Sequence, residues 1–252
     1  MKAAKLLKDK VAAGQITTGA LATDLLWPGL VECLMRSGLD YLIIDQEHGV
    51  HDDKLVAEVC ALGRMVDFPV IVRPIDCAYA TIRQAIDRGP CGFLLPGIES
   101  AEELDRVRDA IYMPPRGCRR PGGPGNAWVS SFHYDRWQEE VEDDFIVLPQ
   151  IETRAGLANV ETIAAHELTT AIAIGPYDLS ADLGVCFDMD HAQMRDAVAA
   201  IKTAGVKAGK TMWRIGDGPT LVAEGFHFLC IAEPINFLQQ KLAELDAVTK
   251  DA

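Results

Sequence analysis

Short apolar runs alternate with amphipathic segments along nearly the whole chain. The runs at 15–22, 40–45, 69–73, 91–96, 145–151, 169–175, 206–213 and 227–232 lack polar alternation and stop at glycine, proline or charge. Strands buried on both faces have this pattern. Between them, segments 28–37, 52–66, 78–88, 100–112, 154–166, 190–204, 218–224 and 235–248 place apolar residues at helical spacing. The repeated alternation predicts a single (β/α)8 TIM barrel over residues 1–252, in preference to an open doubly wound sheet. No glycine-rich phosphate fingerprint follows the first run, which removes the usual support for nucleotide binding. Residues 114–144 break the rhythm with a Pro/Gly-rich, charged and aromatic loop insertion, a length that marks a lid or an interface element.

Composition narrows the picture. A chain of 252 residues, 49% hydrophobic, can bury a full core without disulfides or structural metal. The balance of 24 basic and 37 acidic residues gives a net charge of −13, which argues against nucleic acid and anionic membranes as partners. An anionic substrate must then be held by a local arrangement against the field of the whole protein. The basic amphipathic start (Lys2, Lys5, Lys8, Lys10) lacks the apolar core of a signal peptide, so a cytoplasmic location is expected. Seven scattered cysteines without CxxC spacing suggest neither a disulfide framework nor a zinc site; inert thiols in a reducing compartment are expected.

In a (β/α)8 barrel, chemistry gathers where the strands end. The run 41–44 leads into Asp45, Gln46, Glu47 and His48, the run 70–72 into Arg73, the run 145–148 into Gln150 and Glu152, and the run 171–174 into Gly175, Pro176, Tyr177 and Asp178. Glu152 and Asp178 stand on adjacent strands, and two carboxylates facing one cleft share either a proton or a cation. With oxygen ligands alone, the cation should be hard: Mg²⁺ or Mn²⁺, with Co²⁺ a further fit. The plainer alternative has Glu152 capping the helix that opens at Thr153 and Asp178 serving a turn. Arg73 precedes Pro74, which favours an extended backbone and a guanidinium directed into the barrel mouth, where it can fork a carboxylate or enolate oxygen. Its alternative is simple pairing with Asp45 or Glu47. His48 can serve as a general base oriented by either carboxylate. Asp87 ends a helical segment, where the macrodipole disfavours an acid, and so invites a functional reading beside that of a chance surface residue.

Taken together, IDQEHG (44–49), VRP (72–74), LLPGIESAEEL (94–104), PPRGCR (114–119), QIET (150–153) and GPYDLSADLG (175–184) resemble the HpcH/HpaI family of metal-dependent 2-oxo-acid aldolases over nearly the whole chain. The resemblance implies a divalent metal on Glu152 and Asp178, and a 2-oxo acid chelating it. Arg73 would stabilise the enolate, His48 would carry out acid/base chemistry, and Gln150 and Tyr177 would line the donor site. It implies further that Asp87 assists the histidine across a subunit interface, in a hexamer of three dimers that exchange the C-terminal helix, here 235–248. The chain departs from the family pattern at Arg120, where a glycine is usual, and at Trp213 and Arg214, where a small or apolar strand end is usual.

The expected function is therefore reversible C–C bond cleavage and formation between a 2-oxo acid, pyruvate or hydroxypyruvate, and an aldehyde, by a class II aldolase. Alternatives are a non-catalytic oxo-acid-binding protein, a CoA-ester lyase of the wider superfamily and a Schiff-base aldolase. The last needs a lysine at a strand end, whereas Lys207 and Lys210 are expected at the start of theirs. Arg116, Arg119 and Arg120 form a basic cluster that would draw an acidic or hydroxylated acceptor if the loop bends over the mouth. Pairing with the acidic run 139–144 is the alternative.

Overall fold

The computed structural model describes residues 1–120, 122, 127–129 and 133–251. Eight parallel strands close in sequence order into a barrel: β1 (Thr17–Ala22), β2 (Tyr41–Asp45), β3 (Val70–Arg73), β4 (Gly92–Leu95), β5 (Ile146–Ile151), β6 (Ala171–Ile174), β7 (Thr211–Ile215) and β8 (Phe228–Ala232). Most strand residues are buried, as expected for a sheet covered by helices outside and packed within. Before and between the strands come α1 (Lys2–Ala12), α2 (Gly29–Arg36), α3 (Asp53–Met65), α4 (Tyr79–Asp87), α5 (Ala101–Ile111), α6 (Tyr134–Trp137), α7 (Arg154–Ala158), α8 (Val160–Ala165), α9 (Pro176–Asp182), α10 (Ala192–Ala208) and α11 (Gly218–Ala223), and α12 (Pro234–Lys250) follows β8.

Polar contacts brace the apolar interior. The Trp213 indole N–H donates to the Tyr41 hydroxyl at 2.8 Å, and that hydroxyl donates to the Leu229 carbonyl at 2.6 Å. Gly19 makes this possible: a Cβ there would meet the Tyr41 ring at 2.3 Å. The Tyr41 ring on β2 is thus accommodated by an absent side chain on β1.

Among the strands, the expected boundaries shift most at β7. Its strand begins at Thr211, because the small and apolar residues Ala204, Gly205, Val206 and Ala208 continue α10, which ends on left-handed Gly209 (φ 66°). Lys207 consequently sits in the last turn of α10, paired with Glu161 at 2.6 Å, while Lys210 lies just before β7 and donates to the Thr169 carbonyl. The basic start is a helix, α1, whose Ala3, Ala4, Leu7 and Val11 are buried. Segment 154–166 is two helices divided at Asn159, whose side chain donates to the Glu99 carbonyl at 2.8 Å.

The described residues of the long loop are held by ion pairs and aromatic contacts. Arg116 pairs with Asp143 at 2.7 Å and Glu142 at 3.3 Å and stacks on Tyr112; Arg119 is fully buried, paired with Asp87 at 3.1 Å and set against Trp137. Arg116 therefore takes the acidic-run alternative, and Arg119 is closed to an incoming substrate.

Candidate active site

Arg73 ends β3 opposite Asp45, the last residue of β2, because the two strands pair in that register. Its Nε donates to Asp45 Oδ1 at 2.8 Å, its Nη2 to Oδ2 at 2.6 Å, and its Nη1 lies 3.2 Å from Glu47 Oε2. Asp45 also accepts from the backbone N–H groups of Glu47 and His48 and from the Thr23 hydroxyl. One buried carboxylate thus fixes the guanidinium and the turn that carries the histidine. Burial raises the Asp45 pKa, but the Arg73 hydrogen bonds and charge outweigh it and hold the group below the ordinary carboxylate value.

Arg73 is both paired and exposed to a cavity of about 280 Å³ that His48, Gln150, Tyr177, Asp178, Trp213 and Glu233 help to line. His48 is more than half exposed, with Nε2 3.7 Å from Glu47 Oε2. Asp178 lies in the first turn of α9, whose Pro176 suits the first helical position. Asp87, by contrast, closes α4 against Arg119 and lines none of this cavity. The neighbouring Arg88 reaches Gln46 at 3.1 Å and Asp53 at 2.6 Å, tying the end of α4 to the segment that bears His48.

Glu152 lines a neighbouring cavity of about 450 Å³ together with Glu47, Asp76, Cys77, Gly97 and Glu103. The Arg73–Glu47 ion pair and the hydrogen bond from the Gln150 amide to Glu152 join the two linings. Glu152 also accepts from the N–H of Gly97, a left-handed residue (φ 58°). Thr153, not Glu152, caps α7, by accepting from Gly156 N–H at 3.0 Å, so the capping alternative for Glu152 falls away. A Cβ at Gly175 would lie 2.5 Å from Glu152 Oε2 and 2.6 Å from Gln150 Nε2, so glycine leaves room for that pair.

The donor set suits a hard cation. Burial, reinforced by the charges of Glu47 and Asp178, pushes the Glu152 carboxyl up to about 7 despite Gly97 N–H and Arg73. Beside it, the buried Oε1 of Gln150 has no hydrogen-bond partner. Among the described residues no three His, Cys, Asp or Glu side chains converge into a metal cluster, so a cation here would rest on two protein carboxylates. Glu233 was absent from the sequence-derived site, and Asp45 and Glu47 entered it only as partners for Arg73 and His48. The strand-end rule was the available signal, since each stands at or just beyond the end of β2 or β8.

A closed parallel barrel that gathers a fixed arginine, a histidine and two carboxylates at its strand ends has the arrangement of a (β/α)8-barrel enzyme. The chain matches the HpcH/HpaI aldolase/citrate lyase family over residues 25–230 and belongs to that family. It is 32% identical over 241 residues to the hydroxypyruvate/pyruvate aldolase of Roseovarius nubinhibens, covering 90% of this chain and 92% of that enzyme. It is also 32% identical over 218 residues to a 4-hydroxy-2-oxo-heptane-1,7-dioate aldolase of Salmonella dublin, covering 81% and 79%. The crystal structure of an HpcH/HpaI aldolase from Desulfitobacterium hafniense superposes with a TM-score of 0.90 at 25% identity, over 98% of this chain and 97% of that one. Among the described residues, no helix is long and apolar enough to cross a membrane.

Proposed function

We propose that this protein is a cytoplasmic, divalent-metal-dependent aldolase that reversibly joins a 2-oxo acid, pyruvate or hydroxypyruvate, to an aldehyde through an enolate. The observation carrying this reading is the buried Glu152 beside Glu47 and Asp178, with the partnerless Oε1 of Gln150 next to it, an oxygen donor set that fits a hard divalent cation. Glu152 and Asp178 would hold Mg²⁺, Mn²⁺ or Co²⁺, which when bound supplies Lewis-acid polarisation of the oxo acid.

The chain's own residues do the rest. Arg73 keeps N–H donors of Nη1 and Nη2 for the cavity after Asp45 and Glu47 are served, and directs them at oxygen that becomes negative as the enolate forms. Because Asp45 locks the guanidinium beforehand, little reorganisation accompanies the reaction. Gln150 and Tyr177 orient the donor from the walls. His48, held at the mouth by the Asp45 turn, moves a proton to and from the aldehyde oxygen. Asp87 would act on the histidine of another subunit, in a hexamer of three dimers exchanging α12. In support, α12 has no buried residue, and Phe237, Leu238, Leu242, Leu245 and Val248 are exposed. The unpaired thiols, of which Cys33, Cys118 and Cys186 are exposed, suit a reducing compartment.

Aldol turnover of pyruvate or hydroxypyruvate with glyceraldehyde, measured after exhaustive chelation and again after adding each cation, tests the proposal. Activity should vanish and return; full activity in the chelated protein would refute it.

A further inference from the structure

The identity of the aldehyde can be approached through the charges around the two cavities, an argument that rests on the aldolase reading above. The carboxylates lining them are Glu47, Asp76, Glu103 and Glu152 on one side, and Asp178 and Glu233 on the other. Most are already committed. On that reading Glu152 and Asp178 would be the cation ligands; Glu47 faces Arg73 at 3.2 Å, Glu103 faces Arg106 at 3.8 Å, and Asp76, in the other cavity, accepts from Ala78 N–H at 2.9 Å. Glu233 stands apart. It follows β8, opens α12 without capping it, and among the described residues it has no ion-pair partner; its contact is with the neutral amide of Asn236. It lines the same cavity as Arg73, His48 and the buried, unpartnered Gln150 oxygen.

Among the described residues lining the cavity that holds Glu233, Arg73 is the only lysine or arginine; Arg106 lines the neighbouring cavity, where it faces Glu103 at 3.8 Å. Arg73 is engaged by Asp45 and Glu47 and is assigned to the oxo acid, and Arg119 of the long loop is buried against Asp87. An acceptor bearing its own carboxylate would meet Glu233 without a counter-charge, in a chain of net charge −13. Hydroxyl groups would instead donate hydrogen bonds to its free oxygen.

We propose that Glu233 is a specificity-determining residue that selects neutral, hydroxyl-bearing aldehydes over aldehydes carrying a carboxylate. The basic cluster of Arg116, Arg119 and Arg120, which from the sequence would draw an acidic or hydroxylated acceptor, does not counter this: Arg116 and Arg119 are spent on the loop's own fastening, and none of the three lines the cavity that holds Glu233.

The test compares kcat/KM for glyceraldehyde, butanal and succinic semialdehyde with pyruvate as donor and Mg²⁺ present. Butanal and succinic semialdehyde have equal chain length and differ by the charge. The expected order is glyceraldehyde, then butanal, then succinic semialdehyde, with about tenfold between the last two that narrows as salt is added. Glu233→Gln should reduce that ratio severalfold, and Glu233→Lys should invert it; a change confined to stability would leave the ratio fixed. Succinic semialdehyde matching or exceeding butanal in the wild type, or a ratio unmoved in Glu233→Gln, overturns the inference while leaving the aldolase reading in place. Absence of pyruvate methyl exchange and of turnover with all three acceptors overturns both.

Discussion

Asp45 touches Arg73 twice, receives two backbone N–H groups and accepts from Thr23, all while fully buried. Asp45→Asn should therefore destabilise the protein by about 3 kcal/mol in urea unfolding, because the buried guanidinium loses its bidentate partner and keeps only the Glu47 contact at 3.2 Å. The pH dependence has a defined sign. The folded carboxyl lies below its ordinary value of 3.8, so its stabilising contribution is fully present above that pH and is lost as pH falls through the folded value. Wild type should lose stability below about pH 3.8 more steeply than Asp45→Asn; parallel acid unfolding curves would contradict this account. At this scale the sequence was partly legible. Arg73, Gln150 and Asp178 could be placed because each follows an apolar run, but Asp45, Gln46 and Glu47 are consecutive polar residues, and spacing alone does not show which one turns inward.

Among elements, the turns that shape Glu152 matter most. Gly97 holds φ 58° while its N–H binds the carboxylate, and Gly175 leaves the space that the Gln150–Glu152 pair occupies. Gly97→Ala should cost roughly 1 kcal/mol through the left-handed conformation. Gly175→Ala should do more harm to Mn²⁺ affinity than to melting temperature, because the added methyl meets the carboxylate and amide directly. Calorimetric titration with Mn²⁺ alongside thermal unfolding separates the two effects; equal losses of affinity would contradict the steric argument at Gly175. The strands were readable as short unalternating apolar runs and the long helices by their sustained periodicity. Helix α9 was not, since its seven residues span barely two turns and open with Gly175-Pro176, which reads as a turn. At the end of α10, Ala204, Gly205, Val206 and Ala208 are small or apolar enough to fit either a strand or a helix, and only Gly209 settles where the helix stops.

For the whole molecule, the exposed apolar residues of α12 set the expectation of assembly. Leu242 and Leu245 are each 56% exposed on a helix with no buried residue. Wild type should run as a hexamer by light scattering, and Leu242→Asp with Leu245→Asp should shift it to smaller species; a wild-type monomer would contradict this reading of α12. The barrel itself was legible from the alternation of runs, whereas the path of residues 114–144 was not, because ion pairs such as Arg119 with Asp87 join positions that no local pattern connects. The central claim is that Glu152, Asp178 and Arg73 together make the oxo acid acidic at its methyl group. Proton NMR of pyruvate in D₂O reads this without any acceptor. Methyl exchange should require both the protein and Mg²⁺, and should be abolished in Glu152→Gln and reduced by several orders of magnitude in Arg73→Ala. Exchange that persists in the chelated wild-type protein, or that is unchanged in Arg73→Ala, would contradict the account.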